Sequence, residues 1–247
     1  MVVAELSALV ARHPVLAPLE ETLDEALSML SACYRDGGMV LVCGNGGSAA
    51  DAEHISAELM KGMTRRRPIT EATTQALRTH LPADLAGYLA ENLEEALPTV
   101  SLSGQTSLLT AISNDTAGDM TFAQQVYGYG RPGDVLWALS TSGRSRNVVL
   151  AAATAKAMGL RVLALTGEPG RPLGEFADIW VRVPESAVAA VQELHLPIYH
   201  ALCGALEEAF FSVADPLEPG QPARTSRPGR APVASPSSNV TSPATTV

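Results

Sequence analysis

Aromatic residues make up only 4% of this 247-residue chain, and charged residues only 17%. Cysteine occurs three times, at Cys33, Cys43 and Cys203. An odd number at wide spacing forms neither a disulfide framework nor a paired metal motif, and the expected compartment is a reducing cytoplasm. No run approaches the roughly 18 uninterrupted apolar residues of a membrane span. The opening MVVAELSALVARHP lacks the basic stretch and apolar run of a signal peptide, so no secretion is expected. Positive charge is in deficit too, with 17 Lys and Arg against 26 Asp and Glu, a net −9. That balance excludes a long basic surface for duplex nucleic acid or an anionic membrane. What abounds is aliphatic. Hydrophobic residues reach 46%, enough for one large domain or two small ones with a substantial core.

Residues 216–247 differ from the rest. They hold seven prolines and many Ser and Thr, with almost no large apolar side chain. Such a segment cannot bury enough surface to offset its ordering entropy and is expected to be a disordered tail, whether a tether or without a role. Its three arginines and one glutamate leave the body, residues 1–215, near −11.

The body alternates helical and strand patterns. Leu19, Leu23, Ala26, Leu27 and Leu30 recur at helical spacing, and Gly37-Gly38 stops that helix. Five apolar runs read as buried strands: MVLVCG (39–44), PTVSLS (98–103), DVLWALS (134–140), RVLALT (161–166) and ADIWVRV (177–183). Helical patterns follow the first and third runs, and a long apolar helix spans 188–213. Continuous apolar strands alternating with helices predict an α/β fold whose parallel sheet is covered on both faces. Residues 62–97 interrupt the rhythm with Arg65-Arg66-Arg67-Pro68 and a polar, partly helical run. They read as an insertion or lid, with the arginines a solvated basic cluster.

Ligands of open parallel sheets bind beyond the carboxyl ends of the strands, and two unusual loops fall there. Gly44-Asn45-Gly46-Gly47-Ser48 follows the first strand and opens a helix. Its glycines admit close backbone approach, and a helix N-terminus favours an anion, although glycines also make plain turns. Ser140-Thr141-Ser142-Gly143-Arg144-Ser145 follows the third strand. Its hydroxyls and backbone N–H groups suit a phosphate monoester, or a helix cap. No G-x-x-x-x-G-K-[ST] motif indicates a nucleotide triphosphate. Asn114-Asp115 is a polar spot that a simple turn also explains.

His54 and Glu58 lie four residues apart, on one helix face. They can share a divalent ion, act as a base and its orienter, or form a surface pair. The last helix carries Gln192, Glu193, His195 and His200 in an apolar run. Gln192 and His200 are about 12 Å apart on a straight helix. Sharing an ion would require a kink at Pro197, or convergence of copies from neighbouring subunits. His195 reads as a core histidine.

Four ordered motifs, GNGGSAADAEHISAEL, SNDTAGDMTFAQQV, GDVLWALSTSGRSRNVV and VQELHLPIYHAL, resemble the phosphoheptose isomerases of the sugar-isomerase (SIS) domain family. The resemblance covers about residues 17–213 outside the insertion. It implies a three-layer α/β/α sandwich with a five-stranded parallel sheet of flavodoxin-like type plus N-terminal helices. It also implies a homo-oligomer, usually a tetramer, with sites at subunit contacts. The implied reaction interconverts sedoheptulose 7-phosphate and a D-glycero-heptose 7-phosphate through an enediolate. Glu58 and His200 match the acid/base pair. His54, Glu58, Gln192 and His200 match a zinc site, one ion per subunit. Asn45, Gly46, Gly47, Ser48, Glu58, Asn114, Asp115, Ser140, Thr141, Ser142, Ser145 and Gln192 match substrate contacts. The chain departs from the family in its longer 62–97 segment, and in Ala189 where an acidic residue usually stands. Two competing readings are an isomerase of another sugar phosphate and a non-catalytic sugar-phosphate-binding or protein-associating module. The presence of both Glu58 and His200 favours an enzyme.

Overall fold

The computed structural model describes residues 4–211; the tail expected over 216–247 lies outside them. Two helices, α1 (Ala4–Arg12) and α2 (Glu20–Arg35), precede the sheet. The strands are β1 (Val40–Cys43), β2 (Thr99–Ser101), β3 (Val135–Ser140), β4 (Arg161–Thr166) and β5 (Ile179–Arg182). All neighbours pair in parallel, in the order β2-β1-β3-β4-β5. Each strand sits inside one of the five apolar runs; β4 fills its run, and the others are shorter by one to three residues.

Period-two alternation sends successive strand residues to opposite faces. Val40, Val42, Val135, Trp137, Leu163 and Val181 pack with α1, α2, α3 (Gly47–Met60) and α9 (Val188–Phe211). Leu41, Cys43, Leu136, Ala138, Val162 and Ala164 pack with α7 (Thr121–Tyr129) and α8 (Arg146–Ala157). Both faces are therefore covered, and the molecule is the expected α/β/α sandwich. The three cysteines are buried and free. Among the described residues no helix is long and apolar enough to cross a membrane.

Residues 62–97 form two helices, α4 (Glu71–His80) and α5 (Ala83–Asn92). They bury almost nothing of themselves, with Ala86 the one buried residue of the pair. The chain leading to them departs from the expected solvated arginine cluster. Arg65 pairs with Glu208 at 2.6 Å, and Arg67 is 1% exposed. The remaining helix, α6 (Thr106–Asp115), follows β2.

The strand order reverses between β1 and β3, which are hydrogen-bonded neighbours whose following connections diverge. Such a switch point leaves a crevice at the carboxyl edge of the sheet. The glycine loop and the Ser/Thr loop both open there.

Candidate active site

The glycine loop touches the first turn of α8, which follows the Ser/Thr loop, through a pair of amides. Asn45 Nδ2 donates to Asn147 Oδ1 at 2.8 Å, and Asn147 Nδ2 donates back to Asn45 Oδ1 at 2.9 Å. The Ser/Thr loop is tied into a tight turn: the Gly143 N–H bonds the Ser140 carbonyl, and the Ser140 hydroxyl donates to Ser145 at 3.1 Å. The Ser142 hydroxyl accepts from the Arg144 N–H at 3.2 Å. Gly143 has φ +67, and a Cβ there would strike the backbone of Gly170, so only glycine fits the turn. Ser48 is buried in the first turn of α3, while Asn45, Gly46 and Gly47 are exposed to the crevice. The N-termini of α3 and α8 both end in this crevice, one from each loop. Their positive dipole ends suit an anion, although the Ser48, Ala49, Val148 and Val149 N–H groups already bond the loop carbonyls of Asn45, Gly46 and Ser145.

Helices α3 and α9 run side by side in the same direction. Gln192 rests on Gly47, where a Cβ would collide with its amide. Further along, the His54 and His200 rings are 4.9 Å apart at 82°. His54 Nε2 lies 3.0 Å from Glu58 Oε1, and Nδ1 lies 3.1 Å from the Tyr199 hydroxyl. That hydroxyl reaches Asp51 Oδ1 at 3.3 Å. The result is a polar chain, Asp51–Tyr199–His54–Glu58, with the His200 ring edge-on to its two middle members.

Proton counting constrains this chain, because a neutral imidazole has one N–H. If Tyr199 donates to Asp51, His54 Nδ1–H donates to Tyr199, and Nε2 can then only accept from a protonated Glu58. If Nε2–H donates to Glu58, Tyr199 must turn its proton to Nδ1 and release Asp51. A doubly protonated His54 satisfies both ends at once. Burial raises the Asp51 carboxyl, against the opposing Tyr199 hydroxyl and His54. Burial raises the Tyr199 phenol, reinforced by Asp51. Burial and then His54 lower the His200 imidazole, with Glu58 opposing. His200 is therefore held toward its neutral form, able to take a proton and return it.

The zinc expectation is corrected here. Among the described residues no group of three or more His, Cys, Asp or Glu could hold a metal ion. The reason is the parallel packing. Gln192 is kept at the start of α3 by Gly47, and His200 sits two turns further on, roughly 12 Å away. The helix α9 continues through Pro197, so the two turns between Gln192 and His200 remain. His54 and Glu58 meanwhile spend their facing atoms on each other. The four side chains do not fit a shared ion in this chain.

The other expected contacts are distributed unevenly. Ser140, Thr141, Ser142 and Ser145 lie together on one loop, and Asn45, Gly46, Gly47 and Ser48 on its neighbour. Asn114 and Asp115 end α6 instead, exposed, with Asn114 Nδ2 donating to Asp115 Oδ1 at 2.8 Å. Among the described residues no hydrogen bond or ion pair joins them to either loop. Three neighbours escaped the sequence reading. Asp51 had a usable signal, being one turn before His54 on the same helical stripe. Tyr199 and Asn147 had none, since their roles arise only when α9 meets α3 and β1 meets β3.

Known proteins resemble this chain in sequence and in fold. A family model for the SIS domain matches residues 5–86 and 80–167. The phosphoheptose isomerase of Rhodospirillum rubrum is 40% identical over 188 residues, covering 76% of this chain and 86% of that protein. That of Shewanella denitrificans is 35% identical over 196 residues, covering 78% and 86%. Among solved structures, the phosphoheptose isomerase of Neisseria gonorrhoeae is 33% identical with a TM-score of 0.64, covering 82% of this chain and 94% of that one. The one from Francisella tularensis is 29% identical with a TM-score of 0.63, covering 82% and 93%. The SIS-domain match and relatives 35–40% identical, matched over 86% of their length, point the same way, and the chain belongs to the phosphoheptose isomerases of the SIS-domain family.

Proposed function

We propose that this chain converts sedoheptulose 7-phosphate to a D-glycero-heptose 7-phosphate. As a member of its family it is a sugar-phosphate isomerase and binds a sugar phosphate. The observation that carries the proposal is the meeting of His54, Glu58 and His200 on two parallel helices whose near ends border the anion crevice. In our reading the phosphate rests on Ser140, Thr141, Ser142 and Ser145, at the positive ends of α3 and α8. Asn45, Ser48 and Gln192 hold the sugar hydroxyls. Glu58 removes the C1 proton of the ketose and returns a proton to C2. His200 carries the proton between O1 and O2, so the enediolate forms and collapses with no net gain or loss of protons. His54, bonded to one Glu58 oxygen, orients the carboxylate. Positioned acid–base groups of this kind contribute about 10²–10⁴-fold each.

Eleven residues of α3 separate Gly47 from Glu58, roughly 16 Å of helix. That outspans an extended seven-carbon sugar phosphate. The distance supports a site completed between copies, in which one protomer's crevice faces the Glu58–His200 cluster of another within a homotetramer. Three buried thiols with no disulfide support a cytoplasmic location.

The test is incubation of the protein with sedoheptulose 7-phosphate and chromatographic detection of the aldose. Wild type is expected to turn over, and Glu58→Gln to lose at least about 10²-fold in kcat with its melting temperature kept. Wild type that binds the sugar phosphate without converting it would establish a binding module instead.

A further inference from the structure

Glu58 sits in the last turn of α3, where helix carbonyls lack partners within the helix. Many helices close this end with a left-handed residue, usually glycine. Here the residue after the helix, Lys61, is extended, and the carbonyls go elsewhere. Arg67 Nη2 donates to the Glu58 carbonyl at 3.0 Å, and Nη1 to the Leu59 carbonyl at 2.9 Å. The same guanidinium donates through Nε to Glu207 Oε1 at 2.9 Å. Its carbon lies 4.6 Å from the centre of the Phe211 ring. Glu207 is also fully engaged, accepting the Met63 N–H at 2.8 Å, the Thr64 N–H at 2.9 Å and the Thr64 hydroxyl. Arg67 and Glu207 are each 1% exposed.

This geometry is specific to a planar fork. A guanidinium presents several N–H groups in fixed directions, whereas an ammonium is a point donor on a flexible stem. Arg67 uses that fork to join three elements. It caps the helix that carries Glu58, and it binds α9 seven residues beyond His200, about 10 Å along the axis. It also roots the α4–α5 arm, since the Arg67 carbonyl accepts the Glu95 N–H and the Leu59 carbonyl accepts the Leu97 N–H. A side chain at this junction sets how far the end of α3 stands from α9, and so the separation of the two proton-carrying groups.

We propose that Arg67, with Glu207, is a positioning pair that holds Glu58 at its working distance from His200. Neither residue needs to touch substrate. The inference rests on Glu58 being the carbon base of the isomerase reading above. A misplacement of about 1 Å at such a group can cost 10²-fold in rate.

Single truncations could simply unfold the protein, because each would strand a buried charge. The decisive variant is therefore the double substitution Arg67→Met with Glu207→Met, which removes both charges together and keeps the volume. Arg67→Lys is its companion, retaining charge without the fork. Both are measured on the full chain by thermal melting, steady-state kinetics with sedoheptulose 7-phosphate, and amide hydrogen exchange. We expect the double variant to melt within a few degrees of wild type, with kcat reduced 10- to 100-fold. KM should change less than about twofold, since the phosphate crevice lies at the other end of α3. Amides of residues 57–63 should exchange faster while those of β1 and β3 do not. A stably folded double variant with wild-type kcat overturns the proposal, and so does unchanged exchange at 57–63. If wild type itself shows no turnover, the isomerase reading fails separately, and the exchange result alone decides whether the pair clamps this helix end.

Discussion

At the scale of single residues, Gly47 shows how a missing side chain can be functional. Gln192 occupies the space a Cβ would take, at the start of the helix that opens the anion crevice. The colliding atoms are the far end of a flexible amide, so Gly47→Ala should fold, with stability within about 1 kcal/mol of wild type. Gln192 must then swing away from the crevice. We expect kcat/KM to fall about tenfold, the cost of roughly one misplaced polar contact, checked by steady-state kinetics beside a thermal melt; kinetics equal to wild type would remove Gln192 from the substrate's surroundings. His54 and Glu58 were legible as a pair because helical spacing alone places them on one face. Tyr199 and Arg67 were not. Their meaning depends on which helix lies beside which, and no local pattern states that α3 and α9 run parallel in matched register. Arg67 was actively misleading, since three adjacent arginines read as a solvated cluster and one of them is the most enclosed cation of the junction.

At the scale of elements, the strands were the most legible part. Each apolar run is bounded by Gly, Pro or polar residues, and burial on both faces makes the run continuous, a signal hard to imitate. The helices of residues 62–97 were less so, because they bury little and a polar helix lacks an apolar stripe. Pro197 does not interrupt α9, which runs from Val188 to Phe211. The zinc expectation depended partly on convergence of Gln192 and His200, and the unbroken helix leaves those two about two turns apart. The Ser/Thr loop offers a test at this scale. Its turn closes only because Gly143 adopts φ +67 against the Gly170 backbone, which cannot yield as a side chain would. Gly143→Ala is expected to cost about 1–3 kcal/mol of stability, the price of a strained backbone position. Isothermal titration with sedoheptulose 7-phosphate should show at least tenfold weaker binding as the hydroxyls of Ser140 and Ser145 separate. Unchanged affinity would mean that the phosphate is held elsewhere.

At the scale of the whole molecule, stability is tied to a histidine outside the proposed chemistry. His195 on α9 has 0% exposure. Its ring faces the Thr166 backbone at the end of β4, yet neither nitrogen reaches hydrogen-bonding geometry. Burial outweighs the help from that backbone and lowers the imidazole from 6.5 to about 4. The folded state therefore refuses a proton that the unfolded chain accepts between these values. The sign follows: stability is complete above about pH 6.5 and is lost as pH falls toward 4. The loss is on the order of 3 kcal/mol by pH 4. His200 is lowered as well and acts in the same direction, while Asp51, raised by burial, opposes it in the acid range. Against the raising effect of burial, hydrogen bonds hold Glu207 and Asp178 below their usual values, and both also lose stability in the acid range. His195→Phe separates its own contribution, because it removes one titration and leaves the others. Urea unfolding at pH 7 and pH 4.5 should show a smaller difference between the two pH values in the variant than in wild type. That comparison is made within each protein, so a constant packing cost of the phenyl ring cancels. Equal pH dependence in both would mean that solvent reaches the ring at the carboxyl edge of the sheet, and that this end of α9 opens more readily than its burial implies.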